Sequence, residues 1–225
     1  MVAMWTSHRG EASGESPTPE QIERWRRRMS VPENEFPVGV GVTALLGRTG
    51  DAAVGITMVE AYPHGFRFNL AVRLRRARPG VRGGLFTLIG GHARHGGEVP
   101  LEDRLLLGIE YADGRRASTL TDQRMSDPGT MTDGDALVLV HQGGGGGDRT
   151  VDQAYWVTPL PPEGPVTFVL SWPAFGLPES RTVIDSAPIR AAAAESVALW
   201  PPQPDEEPEE PPPPPRPPTG WFSEP

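Results

Sequence analysis

The chain contains no cysteine, which removes disulfides, thiol nucleophiles and thiolate metal sites together. Lysine is absent too: all 21 basic residues are arginine, so Schiff-base chemistry and a lysine-held cofactor are excluded. A basic set made only of arginine, alongside abundant alanine, glycine and proline, is what a high-G+C genome produces. No apolar run approaches the length of a membrane span. The opening "MVAMWTSHRGEASGESPTP" lacks the apolar core of a secretory signal, so the expected location is cytoplasmic. A net charge of −8 argues against general affinity for nucleic acid.

What is abundant is punctuation. Among 225 residues there are 27 glycines and 27 prolines, which favours strands and turns over long helices. Residues 1–17 are small and polar and are expected to be disordered. A short helix is expected over 18–30, where Thr18 and Gln21 fit a capping box and Pro19 suits the first turn. Ile22, Trp25 and Met29 fall on one face of it, which marks it as a docking helix.

From Phe36 to Asp185 the period is two. In "GFRFNLAVRLR", Phe66, Phe68, Leu70, Val72 and Leu74 point one way while Arg67, Asn69, Ala71, Arg73 and Arg75 point the other. "LLLGIEYADGRRAS" reads as a hairpin turning at Asp113-Gly114, and "PVTFVLSW" places Val166, Phe168, Leu170 and Trp172 on one face. Eight or so such strands predict an all-β fold. The expectation is an antiparallel β-sandwich, immunoglobulin-like or jelly-roll-like, spanning 31–200, with short N- and C-terminal helices. The closing helix is expected over 187–200, its apolar stripe formed by Ile189, Ala193, Val197 and Trp200. Residues 201–225 are a different material: twelve prolines and six acids against one arginine, expected to be extended and disordered.

Several stretches carry candidate chemistry. "HQGGGGGDRT" lacks both the lysine and the following helix that a phosphate loop requires. It reads as a slack hairpin tip, or else as a flap beside a binding mouth. "GGHARHGGE" offers His92, His95 and Glu98, a two-histidine, one-carboxylate set suited to a metal ion, with a solvated loop as the plain alternative. Asp122, Asp127, Asp133 and Asp135 crowd one loop, which reads as ordinary turn chemistry, with an oxygen-lined calcium site as the alternative although the spacing does not match an EF-hand. Arg67, Arg73 and Arg75 form a basic stripe on a wet sheet face. It is a candidate dock for a partner or for the chain's own acidic segment, Asp205 to Glu210. Trp221 and Phe222 are candidate anchors near the end of the tail, and Pro211 to Arg216 spell PxxPxR, a register suited to aromatic-lined grooves.

The segments "GGLFTLIGG", "LLLGIEYADGRR" and "GGGGGDRTVDQAYWVTPLPPEGPVTFVLSWPAFGLPESRTVIDSAPIRAAAAESVALWP" resemble a family of small β-rich proteins from high-G+C bacteria. The likeness covers about residues 36–201 and implies no activity and no catalytic residues. The expected function is therefore a binding or assembly module without a cofactor. Its partner would be another protein or its own acidic tail, and neither nucleic acid nor membrane. The alternatives are a metal- or carboxylate-dependent enzyme centred on His92, His95 and Glu98, and a barrel holding a small apolar ligand.

Overall fold

The computed structural model describes residues 18–77, 84–90, 99–120 and 136–201. Its strands assemble as an all-β antiparallel sandwich. The larger layer takes β2 (Val38–Val40), β3 (Ala44–Arg48), β4 (Ala52–Tyr62), β5 (Gly65–Leu74), β8 (Val138–Gly146) and β9 (Thr150–Thr158). They run in the order β2-β4-β5-β9-β8, with β3 also paired to β4. The smaller layer is β6 (Leu106–Tyr111), β7 (Arg116–Ser118), β10 (Pro165–Trp172) and β11 (Leu177–Asp185), ordered β11-β10-β6-β7. Each layer is built on two sequential hairpins joined along the middle by a non-local pair, β5 with β9 and β6 with β10, and the larger layer adds β2 and β3 beside β4.

The alternation read from the sequence is the alternation that builds the core. Phe66, Phe68, Leu70 and Val72 of β5 are completely buried and face Val166, Phe168, Leu170 and Trp172 of β10. Phe68 meets Phe168 edge-on across the layers, with ring centroids 5.3 Å apart. Burying one such ring contributes roughly 1.5–3 kcal/mol. In β4 a bulge between Thr57 and Glu60 moves the inward set from Ala52, Val54 and Ile56 to Val59 and Ala61. The extra residue also brings Glu60 opposite Arg67. At one margin of the sandwich, Ser180 Oγ donates to the Leu46 carbonyl (3.1 Å), tying β11 to β3. Gly47 permits that approach, because a Cβ there would stand 3.0 Å from Leu177 and 3.1 Å from Leu170.

Three helices cover the edges and outer faces. Helix α1 (Pro19–Met29) lies on the outside of the larger layer, where Met29 is buried with Val138 and Val140 and Trp25 packs beside them. Its last carbonyls have no intrahelical donors. Trp156 Nε1 donates to Arg28 (3.1 Å) and Gln142 Nε2 to Met29 (2.8 Å), so the sheet caps the helix. Helix α2 (Gly84–Gly90) buries Leu85, Leu88 and Ile89 in the core.

Helix α3 (Ala187–Ala194) buries Ile189, Ala192 and Ala193 against β4 and β2. It does not run to residue 200 as the sequence suggested. It stops at Ala194, and Val197–Ala198 form a strand, β12, paired with β1 (Glu35–Phe36). Val197 and Trp200, expected in the helix's apolar stripe, are therefore exposed. Nor does the Ser186 side chain cap α3. Its hydroxyl donates to the Pro162 carbonyl (2.7 Å), while Asp185 Oδ1 accepts from the Ala187 amide (3.0 Å) in a turn just ahead of the helix.

The glycine run is also not a slack tip. Gly143, Gly144, Gly145 and Gly146 belong to β8 and pair with Ala154, Gln153, Asp152 and Val151 of β9. The turn is made by the residues between Gly147 and Thr150, closed by a Gly147 N–H to Thr150 carbonyl bond of 2.8 Å. Gly143 sits at a bulge with φ of +127°, a conformation that L side chains rarely adopt. A Cβ on Gly144 would lie 2.4 Å from the Asp152 oxygen, and one on Gly146 2.1 Å from the Thr150 oxygen. At Gly144 and Gly146, β9 passes too close for anything larger, whereas Gly145 and Gly147 have open space around them.

Candidate functional site

The metal candidates His92, His95 and Glu98 fall outside the described residues, as do Asp122, Asp127, Asp133, Asp135 and the tail aromatics Trp221 and Phe222. Among the described residues, no group of three or more histidine, aspartate or glutamate side chains is placed to hold a metal ion.

Arg67, Arg73 and Arg75 are described, and the first two lie on the outer face of the larger layer as expected. The face is not an open basic stripe, however. Arg73 bonds Asp152 of the neighbouring strand at 2.8 Å and also donates to the carbonyls of Val72 (3.0 Å) and Val151 (3.2 Å). Arg67 reaches Glu60 at 3.4 Å. Cross-strand registry puts an acid beside each of these arginines, which the spacing within one strand cannot reveal. Arg75 is exposed at the end of β5.

A second polar surface lies on the outside of the smaller layer. Glu110 is held by two arginines, Arg116 at 3.0 Å and Arg181 at 3.1 Å, beside a depression of about 320 Å³ floored by Gly108 and Val169. The hydrogen bond from Arg116 is the largest influence on the Glu110 carboxyl; burial opposes it, and the bond from Arg181 and the charges of both arginines bring the net shift below the ordinary 4.5. The two guanidinium groups are thereby occupied within the fold.

In the interior, Gln153 is fully buried and accepts from the Tyr155 hydroxyl at 2.9 Å. Its amide nitrogen has no hydrogen-bond partner among the described residues. The Tyr155 ring stacks on Phe68 and meets the His141 ring edge-on at 5.5 Å, and Phe86 lies against His141 on its other side. Burial raises the Tyr155 hydroxyl well above the usual phenol range, so it stays a neutral donor. This cluster joins β8 to β9 on the inward side, directly beneath the glycines.

The feature with exposed recognition chemistry is the ribbon that pairs the two ends of the domain. Phe36 opposes Val197 and Glu35 opposes Ala198. Asn34 extends the pairing: its carbonyl accepts from the Leu199 amide, while its side chain donates to the Trp200 carbonyl (2.8 Å) and accepts from the Trp200 amide (3.0 Å). The backbone is well held, yet the side chains are not covered. Phe36 is 64% exposed, Val197 56% and Trp200 61%. Phe36 and Val197 are cross-strand partners on one face, and Trp200 is held by Asn34 three residues beyond Val197, so three large apolar side chains stand exposed along one hydrogen-bonded frame.

Glu35 lies on β1 between Asn34 and Phe36, with Oε2 buried and without a hydrogen-bond partner among the described residues. It is close enough to Tyr62 to act on its hydroxyl. That group is raised above its ordinary pKa of 10.0 first by burial, then by Glu60, with Arg67 opposing and Glu35 adding a little. Tyr62 in turn meets Trp156 edge-on at 5.4 Å, which links the ribbon to the outer face under α1. Sequence reading missed this ribbon because "ESVALW" continues an alanine-rich helical stretch and its partner lies 160 residues upstream.

Fold and surface together define an antiparallel β-sandwich whose terminal segments form an exposed aromatic ribbon. No family model, curated protein or solved structure matches the chain. Among the described residues, no helix is long and apolar enough to cross a membrane.

Proposed function

We propose that this protein is a non-enzymatic binding module of the cytoplasm whose docking surface is the terminal ribbon. The supporting observation is the joint exposure of Phe36, Val197 and Trp200 on a backbone held by the Asn34 clamp. Rigid aromatics lose little side-chain freedom on binding and supply large contact area, which is why they dominate interface hot spots. The Phe36–Val197 pair and the Asn34–Trp200 clamp are two strand residues apart, about 7 Å at the usual rise per residue. Extended proline-rich segments are bound on exposed aromatic side chains of this kind. An immunoglobulin-like manner of working, with a rigid sandwich presenting a small surface at its margin, fits this reading as an analogy of architecture. The arginine stripe fits it less well, since Arg67 and Arg73 already carry Glu60 and Asp152.

The test is to titrate isotopically labelled full-length protein with a synthetic proline-rich peptide containing one arginine, and with the same peptide carrying glutamate in its place. Shifts confined to Glu35, Phe36, Val197 and the Trp200 indole are expected for the arginine peptide. Phe36→Ala or Trp200→Ala should weaken it at least tenfold, about 1.4 kcal/mol. Shifts scattered over the sandwich, or none at millimolar peptide, would remove the proposal.

A further inference from the structure

We infer that the depression on the outside of the smaller layer binds a small organic carboxylate, its head taken by Arg116 and Arg181 and its body laid over Gly108. The site is separate from the terminal ribbon and does not depend on it. Strand registry puts every part of it on one face. Gly108 of β6 stands directly opposite Ser118 of β7 and Val169 of β10, and Val169 stands opposite Arg181 of β11. Glu110 and Arg116 are directly paired in the next row of the same face, two residues along their strands. Both arginines are exposed.

Three observations converge on a ligand. The first is charge. Two guanidinium groups against one carboxylate leave the trio at +1, and Glu110 is the one acid among the described residues lining the depression. The second is how the arginines are held. Glu110 takes one nitrogen of each, Arg116 on Oε1 and Arg181 on Oε2, and neither makes a further hydrogen bond among the described residues. A guanidinium carries more donors than one oxygen uses, so donors remain on both, on side chains whose freedom Glu110 has already restricted. The third is Gly108 itself. Its φ lies outside the left-handed region, and a Cβ there would meet the Val169 Cβ at 3.5 Å, an ordinary contact. Neither backbone nor packing therefore requires glycine at a place in mid-strand where it weakens the sheet. Such a glycine marks a close approach to the backbone from outside. Its missing side chain opens the floor of a space of about 320 Å³, to which Ser118 adds a hydroxyl and Val169 an apolar flank. That volume is at the small end of ligand sites. Glu110 displays the fit of these guanidinium groups to a carboxylate, and a single negative charge completes the local balance.

The test is to titrate isotopically labelled full-length protein with benzoate, methyl benzoate and inorganic phosphate at one ionic strength. Benzoate should give saturating shifts at low millimolar concentration, confined to the amides of Gly108, Ser118 and Val169 and the Nε–H signals of Arg116 and Arg181. Methyl benzoate should give none, and phosphate should bind about fivefold more weakly or worse. An Arg116→Gln, Arg181→Gln double variant, altered only at exposed side chains, should bind benzoate about tenfold more weakly. Gly108→Ala should melt at or above the parent temperature and weaken benzoate about threefold or more, because the methyl group fills the floor. Shifts that fail to saturate, that the ester reproduces, that phosphate matches, or that centre on Phe36 and Trp200 would each overturn the inference. So would a Gly108→Ala variant that unfolds, which would make the glycine structural, or one that binds as the parent does.

Discussion

An alanine scan of the five consecutive glycines separates a paired strand from a slack loop. In a loop, each Gly→Ala change acts mainly on the unfolded chain, and the five variants should be alike, neutral or stabilised by about 0.4–1 kcal/mol. The structure demands a patterned result instead. Gly143 needs its positive φ of +127°, so alanine there is strained by about 1–3 kcal/mol. Gly144 and Gly146 would drive a Cβ to 2.4 and 2.1 Å from backbone oxygens of β9. Those atoms cannot swing aside as a side-chain tip would, so the strands must separate locally at about 1–3 kcal/mol, the usual range for overpacking. Gly145 and Gly147 have nothing within 4 Å, and their variants should match or slightly exceed the parent. For a domain of this size about 1 kcal/mol moves Tm by roughly 2–4 °C. Gly143→Ala, Gly144→Ala and Gly146→Ala should therefore melt about 2–12 °C lower, and Gly145→Ala and Gly147→Ala unchanged or a few degrees higher. Thermal and urea denaturation of the five variants gives the answer. Five equal values would refute the pairing of the run with β9.

Other variants probe the interior and the charged faces. Gln153→Met alone strands the buried Tyr155 hydroxyl and should cost about 1–3 kcal/mol in urea unfolding, whereas Gln153→Met with Tyr155→Phe removes both partners and should recover most of it. Trp156→Phe deletes the donor to the Arg28 carbonyl, so hydrogen exchange should quicken in α1 well before β4 and β5, with about 1–2 kcal/mol lost overall. The lowered pKa of Glu110 means that its arginine contacts stabilise the fold above pH 4.5 and that this contribution fades as pH falls through the lower folded value. Carboxyl NMR titration should show Glu110 ionising below 4.5 in the parent and returning toward 4.5 in an Arg116→Gln, Arg181→Gln double variant, Arg116 alone having the larger effect.

What was legible beforehand follows from how local each signal was. The inward sets of β5 and β10 needed only alternation over eight or ten residues, and each is buried as read. Trp172, read as inward from the same alternation, is wholly buried with its ring 4.0 Å from that of Phe175. Of the face read on α1, Met29 and Trp25 pack on the sheet while Ile22, one turn earlier, stays exposed. The neutralised arginines were not visible, because Glu60 reaches Arg67 through a bulge in another strand and Asp152 reaches Arg73 from a strand 79 residues on. The ribbon was hidden for the same reason, since Glu35 and Phe36 acquire a partner only when the domain closes.

The sequence by itself determined that the middle of the chain makes two-faced strands, and which face of each is apolar. Side-chain direction alternates within a single strand and needs no knowledge of its neighbours. It also determined which chemistries a chain without cysteine and lysine cannot perform. Only the tertiary structure decided that four of the five glycines are paired strand, that α3 stops at Ala194, and that Phe36 meets Val197 across a ribbon that leaves both exposed. Each of these depends on which backbone lies about 5 Å away across a sheet, a distance set by the closure of the whole sandwich rather than by adjacent residues.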